Sequence, residues 1–241
     1  MLSCIGRCFL GDMHIVASNE TMLLVIRFKI GGALRFLSHA ETLTLFQRAC
    51  VRAGISVRYS QGFNPRPKLS LPLPKPVGVE SDDELLCLRV AGAPDEPRAT
   101  NHESRIKAEL SAQLPEGCEL VSVSATQAGE SFQPCSAAYV LAVRTEYLNE
   151  KLKATAERLL ASESLNVRRR TNSKNAKFKN LDVRGFLKSI ELDDRGIIVE
   201  CKIGPAGSIR VEEILKLLEL DECKLAAPIR RTNVQWQVSE S

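Results

Sequence analysis

The chain has 241 residues, of which 44% are hydrophobic and 26% are charged, with a formal net charge of +4 at pH 7. This composition is typical of globular domains, so it excludes a chain that is disordered throughout. No apolar run approaches the roughly 18 residues that a membrane-spanning helix needs. We therefore expect a cytoplasmic protein, with residues 1–20 as a leader that is disordered.

The first half, residues 21–126, begins with a predicted strand at 22–30, where apolar side chains alternate. Ser38 and Glu41 form a capping-box pair, which predicts a helix that begins at His39. The other elements expected here are strands at 55–59, 69–73 and 85–90, a helix at 101–114 and a strand at 118–124. This β-α-β-β-α-β order is typical of ferredoxin-like domains.

A polar stretch at 127–135 contains Gly129 and Pro134 and is predicted to be a linker. The second half, residues 136–241, then repeats the order of the first. Its expected elements are a strand at 137–145, a helix at 147–162, a short strand at 165–169, a hairpin at 186–203, a helix capped by Ser208 and a strand at 226–238. The fold class predicted from this repeat is α+β, with two tandem ferredoxin-like halves.

The cysteines do not follow a metal-binding or disulfide pattern. Cys50 lies on the apolar stripe of a predicted helix, and Cys87 and Cys201 lie in strand-like runs. These are positions of small buried hydrophobic residues in a reducing compartment. Cys4 and Cys8 lack the third cysteine of a radical iron–sulfur motif, and the sequence has no C-x-x-C pair. We therefore expect no metal site and no cofactor in this chain.

The most unusual local sequence is YSQGFNPRPK at 59–68. Gly62 and Asn64 tolerate positive φ, and the two prolines hold the backbone that follows them extended. A stiff loop of this kind would display an aromatic ring and two cations, Phe63, Arg66 and Lys68. Such a set suits base stacking with phosphate contact, and Asn64 belongs to the same expected site. The alternative is a rigid connector with the phenyl ring in the core.

Ser38 and His39 stand at the expected start of a helix, where free N–H groups and the positive dipole end can hold a phosphate or carboxylate. His39 is also the candidate for acid–base catalysis. The sequence offers no evident base or orienting partner for it. A structural role, in which His39 bonds to nearby backbone, is the simpler interpretation.

The segment NVRRRTNSKNAKFK at 166–179 is strongly basic and contains no acidic residue. Phe178 lies among its six cations, which are Arg168, Arg169, Arg170, Lys174, Lys177 and Lys179. Neutralisation of phosphates by such a run indicates nucleic acid, and we expect RNA. The alternative is a solvated loop. The sequence does not decide whether this segment shares a face with the 59–68 loop.

Several motifs occur together in this chain. In the first half they are RFLSH at 35–39, SQGFNPRPKLS at 60–70, Leu73-Pro74 and GVES at 78–81. In the second half they are the basic run, Asp182-Val183-Arg184, GSIR at 207–210 and Arg230-Arg231-Thr232. With these motifs the chain resembles the radical SAM-linked protein family, a domain-of-unknown-function family numbered 2344. It departs from that family at Ala40-Glu41, where the usual pair is Leu-Asp, but glutamate keeps the charge and the cap.

Members of that family are separate proteins or C-terminal extensions of radical S-adenosylmethionine (SAM) enzymes. The resemblance therefore implies a radical SAM enzyme as partner, which would also carry the iron–sulfur cysteines. The leading hypothesis is a non-catalytic accessory protein that binds RNA or another substrate for that enzyme. One alternative is an RNA-processing enzyme of the endoribonuclease kind that uses His39, and the other is a purely protein-binding partner subunit.

Overall fold

The structure, a computed structural model, describes residues 21–91, 99–126, 129–170 and 178–240. The leader expected at 1–20 lies outside these ranges. Two cations of the basic run, Lys174 and Lys177, lie outside them as well.

The first half consists of β1 (Thr21–Ile30), α1 (His39–Arg52), β2 (Leu69–Ser70), β3 (Glu80–Ala91), α2 (Ala99–Ser111) and β4 (Cys118–Thr126). A 3-10 turn, Gly32–Phe36, precedes α1. The strands lie in the order β4-β1-β3-β2, and every pairing among them is antiparallel. The capping box predicted at Ser38 and Glu41 is confirmed, and α1 begins at His39.

The second half consists of β5 (Glu130–Leu141), α3 (Glu150–Ala161), β6 (Asn166–Arg170), β7 (Phe178–Asp182), β8 (Leu187–Asp193), β9 (Gly196–Lys202), α4 (Val211–Leu217) and β10 (Arg230–Glu240). Its main strands lie in the order β10-β5-β9-β8, again antiparallel. β6 and β7 pair only with each other and form a separate hairpin between α3 and β8. The chain is therefore an α+β protein, as predicted.

The two halves are joined within one sheet. β10 runs parallel to the start of β3, where Arg230 pairs with Glu80 and Arg231 with Ser81. Since β10 also pairs with β5, the strands of both halves form an 8-stranded sheet within the described residues.

The linker predicted at 127–135 is replaced from residue 130 onward by the first part of β5, which pairs with the end of β10. Pro134 is compatible with this strand because β9 pairs with β5 only from Ser136 onward. The proline thus lies beside β10 but beyond the paired residues of β9, and such partly unpaired strand ends are where sheets tolerate proline. The strand expected at 55–59 is wrong, because only isolated bridges form there, at Val57 and Tyr59. The strand expected at 69–73 is reduced to the two residues of β2.

Alternation along β1 divides the core of the first half. Leu24, Ile26 and Phe28 are buried against α1 and α2, in the cluster that includes Phe46 and Leu110. Successive strand residues point to opposite faces, so Leu23 and Val25 face the other side of the sheet. There they pack with Leu85 and Cys87 of β3 against two aromatic side chains of the second half, Phe132 and Trp236.

A buried ion pair lies where the halves meet. The guanidinium of Arg231, 1% exposed, donates from Nε to Glu84 Oε1 at 3.2 Å. It also donates to the carbonyl oxygens of Pro74 and Leu73, both at 3.2 Å. These bonds satisfy the buried charge with one carboxylate and two carbonyls, and they attach the segment before β3 to β10.

The cysteines behave as expected from their positions. Cys50, Cys87 and Cys201 are buried and free. Burial raises the thiol pKa of Cys50 and Cys87 to about 11 and that of Cys201 to about 12. Of the helices in the described ranges, none is long and apolar enough to cross a membrane.

Candidate nucleic-acid interface

The basic run folds into β6 and β7, which together are called the basic hairpin here. The sequence predicted only its first strand, at 165–169. Alternation in β6 turns Val167 and Arg169 inward and leaves Arg168 and Arg170 exposed. In β7, Phe178 and Lys179 are exposed too. Two of the expected phosphate-binding arginines are thus presented together on one face of the hairpin.

A cation–π stack lies on this outer face. The guanidinium carbon of Arg168 is 4.3 Å from the centroid of the Phe178 ring, and the ring is 57% exposed. The stack follows from the pairing register, because Phe178 pairs with Arg170 and therefore lies diagonally opposite Arg168. The result is a planar, charged platform that remains open to solvent.

Arg169 has a different role from the one that the sequence predicted. Its Nε donates to Glu213 Oε1 at 2.6 Å, and its Nη2 donates to Glu213 Oε2 at 2.7 Å and to the Ser208 carbonyl oxygen at 2.6 Å. This two-pronged pair fastens the hairpin to the start of α4. Arg169 is therefore occupied within the protein, and we correct its expected phosphate contact to a positioning role.

Glu213 also fixes the start of α4. Its Oε2 accepts from the backbone N–H of Arg210 at 2.8 Å, and α4 begins at Val211 rather than just after Ser208 as predicted. Burial alone would raise the pKa of Glu213. The bonds from Arg169 and the Arg210 backbone outweigh this and hold it below its ordinary value.

A cavity of about 920 Å³, here called the hairpin cavity, lies between the basic hairpin, α3 and α4. The cations in its wall are Arg158, Arg168, Arg169, Arg170, Arg210 and Lys216, and the carboxylates are Glu212, Glu213 and Glu219. The three carboxylates pair with Arg210, Arg169 and Arg158, respectively. Within the described ranges, Arg168, Arg170 and Lys216 form no ion pair. The cavity thus keeps cations that are available to an anionic ligand.

A second cavity, of about 680 Å³ and here called the central cavity, lies between the two halves. Phe36 and Val77 of the first half and Tyr139 of the second are in its wall. Phe36 is 57% exposed, and the guanidinium carbon of Arg35 lies 4.3 Å from its ring centroid. At this point the sequence shows the motif RFLSH, and no local pattern in it indicates that Phe36 borders a cavity.

The 59–68 loop is closed at its neck. Ser60 donates from its backbone N–H to the Arg66 carbonyl oxygen at 2.8 Å, and the Arg66 N–H donates to Ser60 Oγ at 2.9 Å. Gly62 has φ +130°, which favours glycine. Phe63 is 106% exposed, so the alternative that placed its ring in the core is wrong. Asn64, Arg66 and Lys68 are exposed too, but no residue of the loop lines the hairpin cavity or the central cavity.

The start of α1 is occupied by its own residues. Ser38 Oγ accepts from the Glu41 N–H at 3.4 Å, and Glu41 Oε2 accepts from the Ser38 N–H at 2.8 Å. Bonds from Ser38 hold the pKa of Glu41 below its ordinary value. The Nδ1 atom of His39 is buried without a hydrogen-bond partner among the described residues. The expected bond to nearby backbone is therefore absent at Nδ1 in this part of the chain, and a role for Ser38 or His39 in binding or catalysis stays a prediction.

The described ranges contain no group of three or more His, Cys, Asp or Glu residues that is placed to hold a metal ion.

Two residues in the wall of the hairpin cavity, Arg210 and Glu213, are not among the binding residues that the sequence predicts. Arg210 ends the GSIR motif and Glu213 follows it by three residues, but the partner of Glu213 is 44 residues away along the chain, beyond the reach of any local spacing rule.

A family described as "Uncharacterized protein conserved in bacteria (DUF2344)" matches residues 24–216. The chain belongs to this family. The match extends over most of both halves and includes the basic hairpin. It also includes residues that line the two cavities, among them Phe36, Arg168 and Arg210. No curated protein matches the sequence.

Two solved structures resemble the chain distantly. A chain of the Cbf5-Nop10-Gar1 complex is 10% identical, with a TM-score of 0.43 over 88% of this chain and 48% of that one. This chain therefore spans about half the length of that relative. The small subunit of acetolactate synthase from Thermotoga maritima is 11% identical, with a TM-score of 0.24 over 91% of this chain and 98% of the other. Neither similarity is close enough to support a functional assignment.

Proposed function

We propose that this protein binds single-stranded RNA through the basic hairpin and the hairpin cavity, as an accessory to a radical SAM enzyme. We also propose that it is built of two tandem ferredoxin-like halves. The strand orders β4-β1-β3-β2 and β10-β5-β9-β8 support this, because each half places its first and third strands at the centre, as split β-α-β units do.

The observation that carries the RNA proposal is the exposed stack of Arg168 on Phe178. An aromatic ring beside a guanidinium offers a stacking platform to a base, and the same cation neutralises a neighbouring phosphate. Arg170 and Lys216 add positive charge in the wall of the hairpin cavity. A single strand is the expected partner because its bases are free to unstack and splay out, whereas those of a duplex are not.

The accessory role and the radical SAM partner rest on the family motifs. The chain belongs to family DUF2344, and its motifs resemble proteins that accompany radical SAM enzymes. In this proposal the present chain holds the RNA, and the partner enzyme carries out the chemistry.

The salt dependence of RNA binding tests the proposal. Fluorescence anisotropy of a labelled, unstructured 20-nucleotide RNA would be followed from low to moderate salt for the wild type and for Arg168→Ala/Arg170→Ala. Each lost phosphate contact reduces the slope of log K against log salt by about 0.7 for single strands, so we expect the double variant to be shallower by about 1 to 1.5.

The matched control is Arg105→Ala/Arg195→Ala, which removes two exposed arginines that line neither cavity. Its slope should equal that of the wild type. Weak wild-type binding, or equal losses in the two double variants, would reject the hairpin as an RNA site and favour the protein-binding alternative.

A further inference from the structure

The hairpin cavity and the central cavity adjoin at the start of α4. Arg210 and Glu212 are in the walls of both, and the Arg210 Nη1 atom lies 3.4 Å from Glu212 Oε1. The exposed pair of side chains thus separates the two cavities as a shared rim. A ligand long enough to occupy both cavities would therefore cross at this pair.

Each cavity contains the same chemical feature. Phe178 with Arg168 borders the hairpin cavity, and Phe36 with Arg35 borders the central cavity, each with 4.3 Å between the guanidinium carbon and the ring centroid. Both rings are exposed to the same extent. A phenylalanine that is half open to solvent and backed by a cation on one side offers its free surface to a planar ligand.

The Phe36 platform is held rigidly. The carbonyl oxygen of Arg35 accepts two bonds, from the buried Lys75 Nζ at 2.6 Å and from the Gly78 N–H at 2.9 Å. The Arg35 side chain is also bound, because its Nη1 donates to the Gly32 carbonyl oxygen at 2.8 Å. After the ring, the Leu37 N–H donates to the Leu34 carbonyl oxygen at 3.1 Å, so the backbone is bonded on both sides of Phe36 and little ordering entropy is lost when a ligand stacks on it.

We infer that one RNA strand occupies both cavities, with one base stacked on Phe178, a later base stacked on Phe36 and the intervening backbone crossing at Arg210. This inference rests on the proposed RNA binding and extends it to a second, separately testable contact. The central cavity has the volume of a site for a small organic ligand, which suits a single nucleotide.

The two contacts are of different physical kinds. The hairpin cavity offers cations without a carboxylate partner, whereas the central cavity contains Glu212 and Glu222 as well as Arg35 and Arg210. Net charge is thus balanced in the central cavity, and stacking is the attraction expected there. Stacking releases no counterions, so its loss lowers affinity without altering the salt slope.

The test is binding of the full chain to labelled unstructured RNA of 2 to 12 nucleotides, for wild type, Phe36→Ala and Phe36→Trp. For the wild type, affinity should rise with length until the strand spans both stacks. Phe36→Ala should bind the longer RNAs about fivefold to a hundredfold more weakly, as expected for one lost base stack, with an unchanged salt slope. Phe36→Trp keeps an aromatic surface and should remain within about threefold of the wild type.

The outcomes separate the two proposals. If Phe36→Ala binds RNA of every length as the wild type does, while Arg168→Ala/Arg170→Ala still flattens the salt slope, the shared path is wrong and the hairpin site stands. If Phe36→Ala flattens the salt slope as well, the contact is electrostatic and the inferred stacking is wrong. If the wild type binds none of these RNAs, both proposals fail. Phe36→Leu, which keeps most of the apolar volume, distinguishes lost stacking from local unfolding because it should bind as weakly as Phe36→Ala.

Discussion

The two halves carry an inserted segment at the same place, after the first helix of each, but the two segments are held by different means. The 59–68 loop follows α1, and its projecting part is closed by bonds between Ser60 and Arg66, while only its last residue, Lys68, bonds to β3, through the Arg89 N–H. The basic hairpin follows α3 and is held by Arg169 to Glu213, on the other side of the hairpin cavity.

This difference explains why two similar sets of residues face different surroundings. Both segments contain a phenylalanine and several cations. A segment closed by local bonds projects freely, so Phe63 stands away from both cavities. A segment held by a tertiary ion pair lies against the body of the protein, so Phe178 borders a cavity. Attachment, rather than composition, thus decides which of the two basic segments borders a cavity.

The first prediction concerns the contact between the two halves, and Glu84→Ala tests whether the buried pair of Arg231 and Glu84 holds them together. The substitution leaves the Arg231 guanidinium buried without a carboxylate, so we expect a loss of about 3 to 5 kcal/mol in the free energy of unfolding. Urea denaturation, monitored by the fluorescence of Trp236, measures this free energy. Trp236 is the one tryptophan of the chain and lies at the contact between the halves. The control is Asp82→Ala, which removes another carboxylate of β3, one that pairs with Arg230 at the surface. It should lower the free energy of unfolding by at most about 1 kcal/mol. Equal losses would show that the buried pair does not hold the halves together.

The second prediction concerns the attachment of the basic hairpin. Glu213→Ala removes the two carboxylate acceptors of Arg169, whose side chain is 19% exposed, and the acceptor of the Arg210 N–H, while the Ser208 carbonyl oxygen still accepts from Arg169. We expect a loss of about 2 to 3 kcal/mol in urea denaturation, since hydrogen bonds to charged groups are lost in a partly buried site. RNA affinity should fall as well, because the hairpin is no longer held beside its cavity.

The control for this prediction is the adjacent residue. Glu212→Ala removes an exposed carboxylate and should change stability by no more than about 0.5 kcal/mol. The attachment would be shown to be unnecessary if Glu213→Ala left stability at the value of Glu212→Ala and RNA affinity at the wild-type value.

Local signals made much of the fold predictable. The alternation in β1 and the capping box at Ser38 and Glu41 each depend on residues that are close in the sequence, and both are confirmed. Glycine and proline in the 59–68 loop predict a stiff turn, but they leave open whether Phe63 is exposed or in the core, and only the structure shows that the ring is exposed. The α+β class was predictable for the same reason, since it depends on the order of such local elements.

The features that the sequence did not reveal depend on distant partners. β7 has no apolar alternation in Phe178–Asp182, and its strand conformation comes from pairing with β6. Pro134 indicates a linker by its local sequence, yet it lies in β5 because that strand pairs with β10, which is 102 residues away along the chain at Trp236. Arg169 could not be distinguished from Arg168 and Arg170 in a run of three arginines, because only the position of Glu213 makes it a structural residue.

The most direct test of the account compares Phe178→Ala with Phe63→Ala in binding to the same unstructured RNA. Both rings are exposed, so neither substitution should alter the folded state, and each removes one aromatic ring beside cations. The account predicts that Phe178→Ala weakens binding by about 1 to 3 kcal/mol, the value of one base stack, while Phe63→Ala changes it by less than about 0.5 kcal/mol. A larger loss for Phe63→Ala than for Phe178→Ala would contradict it and place the RNA on the 59–68 loop.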